Sequence, residues 1–163
     1  MIEIVPAKSR PHFLKIEELA DVIWREHYIP IVGKPQIDYM LENFQSEEAI
    51  KDQIANGFEY FLLKYNQKHV GYISVKREEY ALFLSKIYVL SAYRGLKIGK
   101  AAMHFVEKKA QNYQLEQVRL TVNKYNKKAI EAYKKLGFKN IGPLVTEIGN
   151  GFIMDDYQLV KSV

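Results

Sequence analysis

The segment Leu84–Ala102, LSKIYVLSAYRGLKIGKAA, constrains the fold more than any other stretch, because a strand pattern passes into a helix pattern through a turn rich in backbone donors. Leu84–Leu90 is the strand part, Ser91–Ile98 is the turn with Arg94 and Gly95 inside it, and the helix is expected to open at Gly99. After that helix, Val118, Leu120 and Val122 alternate as a buried strand does, so a strand-helix-strand crossover lies at the centre of the chain. The unpaired amides at a helix start, together with the positive end of the helix dipole, attract phosphate oxygens. About thirty residues further on comes Asn123-Lys-Tyr-Asn126-Lys-Lys-Ala129-Ile-Glu-Ala-Tyr133-Lys-Lys-Leu-Gly137-Phe138, which sets an amide and a phenol on one short helix.

The remaining elements follow from period and punctuation. Ile2–Val5 alternates as a short strand that Pro6 ends, and Phe13, Ile16, Leu19, Ala20, Ile23 and Trp24 draw an apolar stripe down one helix face. Pro30, Gly33 and Pro35 predict a break over residues 29–35. Ile37, Met40, Leu41 and Phe44 mark a second helix, and Ile50 with Ile54 a third, ended by Gly57. From Glu59 the period shortens: residues 60–65, 70–75 and 82–89 read as an antiparallel meander whose first turn is Asn66-Gln67-Lys68. Asn126 is placed to cap the helix that Gly137 closes, and two last strands flank Gly149-Asn150-Gly151. The expected architecture is α/β (α+β), a mixed and mostly antiparallel sheet of about seven strands flanked by helices, forming a single domain over residues 1–163.

A chain of 163 residues can bury roughly 70% of the surface its unfolded form exposes. Cysteine is absent, which excludes disulfides, thiolate metal sites and a cysteine nucleophile, and no metal is expected. No apolar run approaches a membrane span, and Glu3, Lys8 and Arg10 stand where a signal peptide needs an apolar stretch, so a soluble, cytoplasmic protein without membrane partners is expected. The 24 Lys and Arg outnumber the 19 Asp and Glu by only five, too mixed a balance for a nucleic-acid binder. Several of the cations cluster at the two motifs: Arg94, Lys97, Lys100, Lys124, Lys127, Lys128, Lys134 and Lys135. That grouping suits a phosphate-bearing cofactor.

Tyr93-Arg94-Gly95-Leu96-Lys97-Ile98-Gly99-Lys100-Ala101 resembles the acetyl-CoA loop of the GCN5-related N-acetyltransferases, written Gln or Arg, two residues, Gly, one residue, Gly or Ala. Arg94 and Gly99 fill the first and last places, while Lys97 stands where the family has its middle glycine. Val122-Asn123, Asn126, Ala129, Tyr133 and Gly137-Phe138 are similar to the family's other block. The N-terminal third, with residues 28–33 and 39–41, loosely resembles bacterial members grouped with polyamine or small-amine acetyltransferases.

The resemblance implies an enzyme that moves the acetyl group of acetyl-CoA onto a primary amine, on a small molecule or a peptide, by direct attack in a ternary complex. A non-catalytic acyl-CoA-binding module on the same fold is the alternative, and a monomer or homodimer is the expected state. It further implies that the backbone of Ile87, Tyr88 and Val89 holds the pantetheine arm. The amides of Arg94, Gly95, Leu96, Lys97, Ile98, Gly99 and Lys100 hold the pyrophosphate, Asn126 contacts the cofactor, and Tyr133 acts on the leaving sulfur. If the φ of Lys97 is negative its amide stays available, and its ammonium can meet phosphate. A phenol of pKa about 10 gives its proton to a thiolate of about 8.5 only slightly uphill. Many members carry a glutamate on the strand before the loop, and the matching place here is Phe83, so the base is open. His27, Tyr28, Tyr39 and Asp155 are the candidate acceptor contacts; Asp155 and Asp156 are adjacent on a strand, so only one of them faces the site.

Overall fold

The computed structural model describes all residues, Met1–Val163. Its strands are β1 (Ile2–Pro6), β2 (Phe58–Tyr65), β3 (Lys68–Arg77), β4 (Ala81–Val89), β5 (Gln117–Asn123), β6 (Lys139–Gly149) and β7 (Phe152–Ser162). Its helices are α1 (Arg10–Val32), α2 (Lys34–Phe44), α3 (Glu47–Ala55), α4 (Ile98–Asn112) and α5 (Lys127–Lys135). The strands form one seven-stranded sheet in the order β1-β2-β3-β4-β5-β7-β6. All neighbours are antiparallel except β4 and β5, the pair that the α4 crossover makes parallel. The mixed sheet flanked by helices is the expected architecture.

Two apolar clusters cover the two faces of this sheet. Ile98, Ala102, Met103, Val106 and Ala110 of α4 and Ile130 of α5 pack on one face against Leu82, Leu84, Val118, Leu120 and Leu159. Phe13, Ile16, Ala20, Ile23 and Trp24 of α1 pack on the other, with Ile37, Met40 and Ile50 against Tyr60, Leu62 and Tyr72. A buried polar chain runs through this second cluster. Trp24 Nε1 donates to Tyr72 Oη at 3.0 Å, Tyr72 Oη to Gln45 Oε1 at 2.7 Å, Gln45 Nε2 to Tyr60 Oη at 3.0 Å, and Tyr60 Oη to Gln53 Oε1 at 2.6 Å. Each bond contributes on the order of 1 kcal/mol net, and together they fix α1, the end of α2 and the last turn of α3 on β2 and β3.

The expected break over residues 29–35 is narrower in the structure. α1 runs through Pro30 to Val32, and only Gly33, at φ 86°, separates it from α2. A proline one turn from a helix end removes a single hydrogen bond, and Pro35 lies in the first turn of α2 where its missing N–H has no partner to lose.

The register of β4 shapes the centre of the molecule. β4 pairs with β5 only over Ala81–Phe83 and Gln117–Arg119, so from Leu84 onward it has no ladder partner on that side and the two strands diverge. On its β3 side the register steps from Val75–Leu84 to Ser74–Lys86, skipping Ser85. This bulge reverses the alternation, turning Lys86 and Tyr88 toward α1 and Ile87 and Val89 toward α4. Gly71 of β3 lies so close to the Tyr88 carbonyl that a Cβ there would overlap it.

Candidate active site

The gap between β4 and β5 opens into a cleft of about 730 Å³. Its walls are the open edge of β4, the ends of β5 and β7, the C-terminal half of α1, the start of α4 and one face of α5. Ile87, Tyr88, Val89, Arg94, Gly95, Lys97, Ile98, Gly99, Lys100, Asn126 and Tyr133 all line it, as do His27 and Tyr28. Leu96, Tyr39 and Asp155 do not.

At the loop end, Ser91–Tyr93 forms a short 3-10 turn and α4 starts at Ile98, one residue earlier than expected. The Arg94 amide donates to Ser91 O at 3.2 Å, so it is not among the free donors, a correction to the span read from the sequence. From Gly95 to Lys100 no amide has a partner in the protein. Gly95 and Lys97 have φ of 82° and 63°, which folds this run into a concave nest of N–H groups at the helix start. The Lys97 φ is therefore positive, contrary to the condition set above, and its amide takes the direction a glycine there would give. Arg94, Lys97 and Lys100 are exposed and make no ion pair, so their charge is available to a ligand, while Leu96 turns its side chain into solvent.

On α5, Asn126 Oδ1 accepts from the Ala129 amide at 3.4 Å as the N-cap, and its Nδ2 lies 2.9 Å from His27 Nε2. The cap fixes which end of the amide faces the imidazole. With Nδ2 as donor, His27 Nε2 accepts, so His27 is neutral with its proton on Nδ1. Burial and then the nearby Arg94 both lower the His27 pKa, which agrees. Two turns beyond the cap, the half-buried Tyr133 ring packs edge-on against Phe138 at 5.5 Å, and its hydroxyl has no partner in the protein. Burial raises its pKa, with Tyr28 adding to the effect. The phenol thus stays protonated, and full proton transfer to a thiolate is more uphill than the sequence comparison assumed.

On the α1 side, Tyr28 Oη and Tyr88 Oη share a hydrogen bond of 2.8 Å, and Trp24 meets both rings edge-on at 5.8 Å. Asp156 reaches the cleft from β7. It is 3% exposed, its Oδ1 has no hydrogen-bond partner, and it is the one carboxylate among the lining residues. Burial first, then Asp155, pushes its pKa up to about 6, and Thr121 partly offsets this.

Asp155 faces the other way and pairs with Lys124 Nζ at 3.1 Å. Strand alternation admits one of the two aspartates, and it is Asp156, in phase with Met154 on the α1 face, that enters. Tyr39 serves the fold: its hydroxyl donates to Ile148 O at 2.7 Å and sits against Gly149, clamping the β6–β7 turn to α2. Phe83 lies outside the cleft, its ring 4.3 Å from the guanidinium of Arg119. Glu78 is held by the same arginine at 2.9 and 3.0 Å, so neither hairpin position supplies a base.

Lys86 also lines the cleft and was not foreseen. A lone cation inside the apolar run LFLSKIYV was its only signal, and the Ser85 bulge that aims it at α1 has no signature in the sequence.

A mixed sheet split beside its one parallel pair, with a nest of free amides at the mouth of the split, defines an acyl-CoA transferase type of fold. The model of the acetyltransferase (GNAT) family matches residues 16–138, and the chain belongs to that family. Uncharacterized N-acetyltransferases of Mycobacterium tuberculosis and Mycobacterium bovis are 31% identical to it over 101 residues, 61% of this chain. That match spans 64% of those relatives, somewhat less than two thirds of their length. Among solved structures, the PaiA N-acetyltransferase from Thermoplasma acidophilum in complex with coenzyme A superposes with a TM-score of 0.83 at 23% identity, covering 100% of this chain and 99% of that one. The ribosomal-protein-S18-alanine N-acetyltransferase from Escherichia coli gives 0.74 at 16% identity, covering 100% and 94%. No helix here is long and apolar enough to cross a membrane.

Proposed function

We propose that this chain is an N-acetyltransferase that moves the acetyl group of acetyl-CoA onto a primary amine, with both substrates in the cleft together. The observation that carries it is the continuity of that cleft, from the partnerless amides of Gly95–Lys100, along the unpaired edge of β4, to Tyr133 and Asp156. The residues suit the cofactor. The nest and the cations of Arg94, Lys97 and Lys100 match a pyrophosphate, and the open backbone of Ile87–Val89 offers an amide-bearing arm the strand partner that β5 withholds. That the Thermoplasma relative was crystallised with coenzyme A favours the same ligand here.

When bound, acetyl-CoA supplies a thioester carbonyl to the amine and a thiolate as leaving group. The side chains divide the remaining work. Asp156, ionised above pH about 6, attracts the ammonium and takes the proton that the amine must lose. The Tyr133 hydroxyl, with no partner of its own, donates a hydrogen bond to the sulfur. Its raised pKa favours stabilising the thiolate over protonating it fully.

The test is release of free thiol from acetyl-CoA by the purified protein across a panel of primary amines. Amine-dependent release is expected. Coenzyme A binding by calorimetry without turnover of any amine would instead favour a binding module.

A further inference from the structure

Of the cleft cations that lack an ion pair, one is drawn out of water. Lys86 is half-buried on the α1 face of β4, where its Nζ donates to Ser85 Oγ at 2.9 Å and lies 5.8 Å from the centre of the Trp24 ring. No carboxylate forms an ion pair with it, whereas ten other ammonium or guanidinium contacts with carboxylates are made across the molecule. Withdrawal from water alone lowers its pKa to about 8, and no neighbouring charge counters the shift. A charge held out of water in this way is normally paired, and here the protein leaves the pairing undone on a wall that faces open space.

The position of Lys86 separates it from the other cleft cations. Arg94, Lys97 and Lys100 belong to the loop that suits a pyrophosphate, and Lys135 lies on α5. Lys86 is three residues upstream of the end of β4, roughly 10 Å along the strand at ~3.3 Å per residue, with its side chain on the opposite sheet face from α4. Across the gap in the sheet stands Asp156, the single carboxylate of the lining, and the lining on the α1 side combines Trp24, Val32, Met40 and Met154 with the uncharged polar groups of Tyr28, Gln36 and Tyr88.

Building on the acetyl-transfer reading above, we infer that the acceptor is a primary amine carrying an acidic group, a carboxylate or phosphate, whose ammonium meets Asp156 while its anion meets Lys86. A diamine or polyamine fits this wall poorly, since its second ammonium finds Lys86 and no second carboxylate.

Steady-state kinetics with chain-length-matched acceptors test it: ω-amino carboxylates and amino phosphates, the neutral alkylamine, and the diamine, each with the wild-type protein, Lys86→Gln and Lys86→Arg. The acidic amines should exceed the alkylamine and the diamine by about tenfold or more in kcat/KM. Lys86→Gln should erase that preference through the acceptor KM, and Lys86→Arg should keep part of it. Calorimetric titration of the acidic amine into the wild-type protein holding coenzyme A should give the same ordering without any variant. A wild-type preference for the diamine or alkylamine overturns the inference and leaves the acetyltransferase reading standing. So does a Lys86→Gln effect on the KM for acetyl-CoA in place of the acceptor, which would assign the anion to the cofactor. Failure of every amine to release thiol overturns both.

Discussion

The two ends of the cleft are built from different materials. At the loop, Gly95–Lys100 presents main-chain N–H groups whose direction depends on φ and on the start of α4. At the α1 and β7 end stand particular side chains, Asp156, Lys86, Tyr28 and Tyr88, whose polar groups are drawn out of water. Backbone donors are obligatory parts of any fold and cost little to aim at a ligand. A charge kept from water is expensive, and the upward shift of Asp156 from 3.8 to about 6 corresponds to about 3 kcal/mol unfavourable at neutral pH. A cation bound beside it would recover part of that cost. The loop end is thus suited to a constant ligand and the other end to a selected one.

Asp156→Asn should break this contrast most sharply. Acetyl-CoA affinity should hold within a few fold, while kcat/KM for the amine should fall by about 10²–10³, the usual worth of a positioned base. The pH profile adds a second readout. Because the folded pKa is above the unfolded one, the folded protein binds the extra proton between about pH 4 and pH 6, so stability falls as pH rises through that window. The variant should lose this slope and gain up to about 3 kcal/mol at pH 7, measured by urea unfolding. The wild-type kcat/KM should fall below about pH 6, and that limb should be missing in the variant. Unchanged amine kinetics would show that the acceptor end does not depend on its only carboxylate.

Tyr133→Phe comes next in size and tests the junction of the two ends. Loss of a hydrogen bond to a developing thiolate should lower kcat by about 10–100-fold with little change in either KM. Stability should move by under about 0.5 kcal/mol, because the hydroxyl has no partner in the protein to leave behind. A large loss of stability with normal kcat would make Tyr133 a packing residue on Phe138.

These two ends also differ in how far the amino-acid sequence exposes them. The strand, turn and helix of residues 84–102, the Asn126 cap and the Gly137 stop are local events, written in periodicity and punctuation, and they place the loop end nearly complete. The acceptor end depends on register. Whether Asp155 or Asp156 enters the cleft is decided by the phase of β7 against β5, and Leu159 and Tyr157, both in phase with the α4-side core, leave Asp156 to the other face. Lys86 turns toward α1 only because Ser85 is skipped in the pairing of β3 with β4. Tyr39 shows the limit from the other direction: a tyrosine on a helix near a predicted acceptor loop is equally suited to clamping a hairpin 109 residues away. Long-range register, and not residue type, hides these positions.

Lys97 is where the loop end departs from its own logic, since a side chain occupies a left-handed position that favours glycine. Lys97→Gly should raise stability by about 0.5–1 kcal/mol, the strain relieved less the greater freedom the unfolded chain gains. Its effect on the cofactor separates two uses of the residue. If only the amide matters, affinity for coenzyme A stays level or improves slightly as the nest relaxes. If the ammonium meets phosphate, affinity falls a few fold at low salt and the gap closes as salt rises, because an exposed charge is screened within about 10 Å at 0.1 M. Calorimetry at two ionic strengths distinguishes them, and the exposed, unpaired ammonium beside the free amides favours the second outcome. In that case the chain holds a strained backbone position in exchange for a third cation at the phosphate end, and even the backbone-built half of the cleft contains one residue whose identity matters.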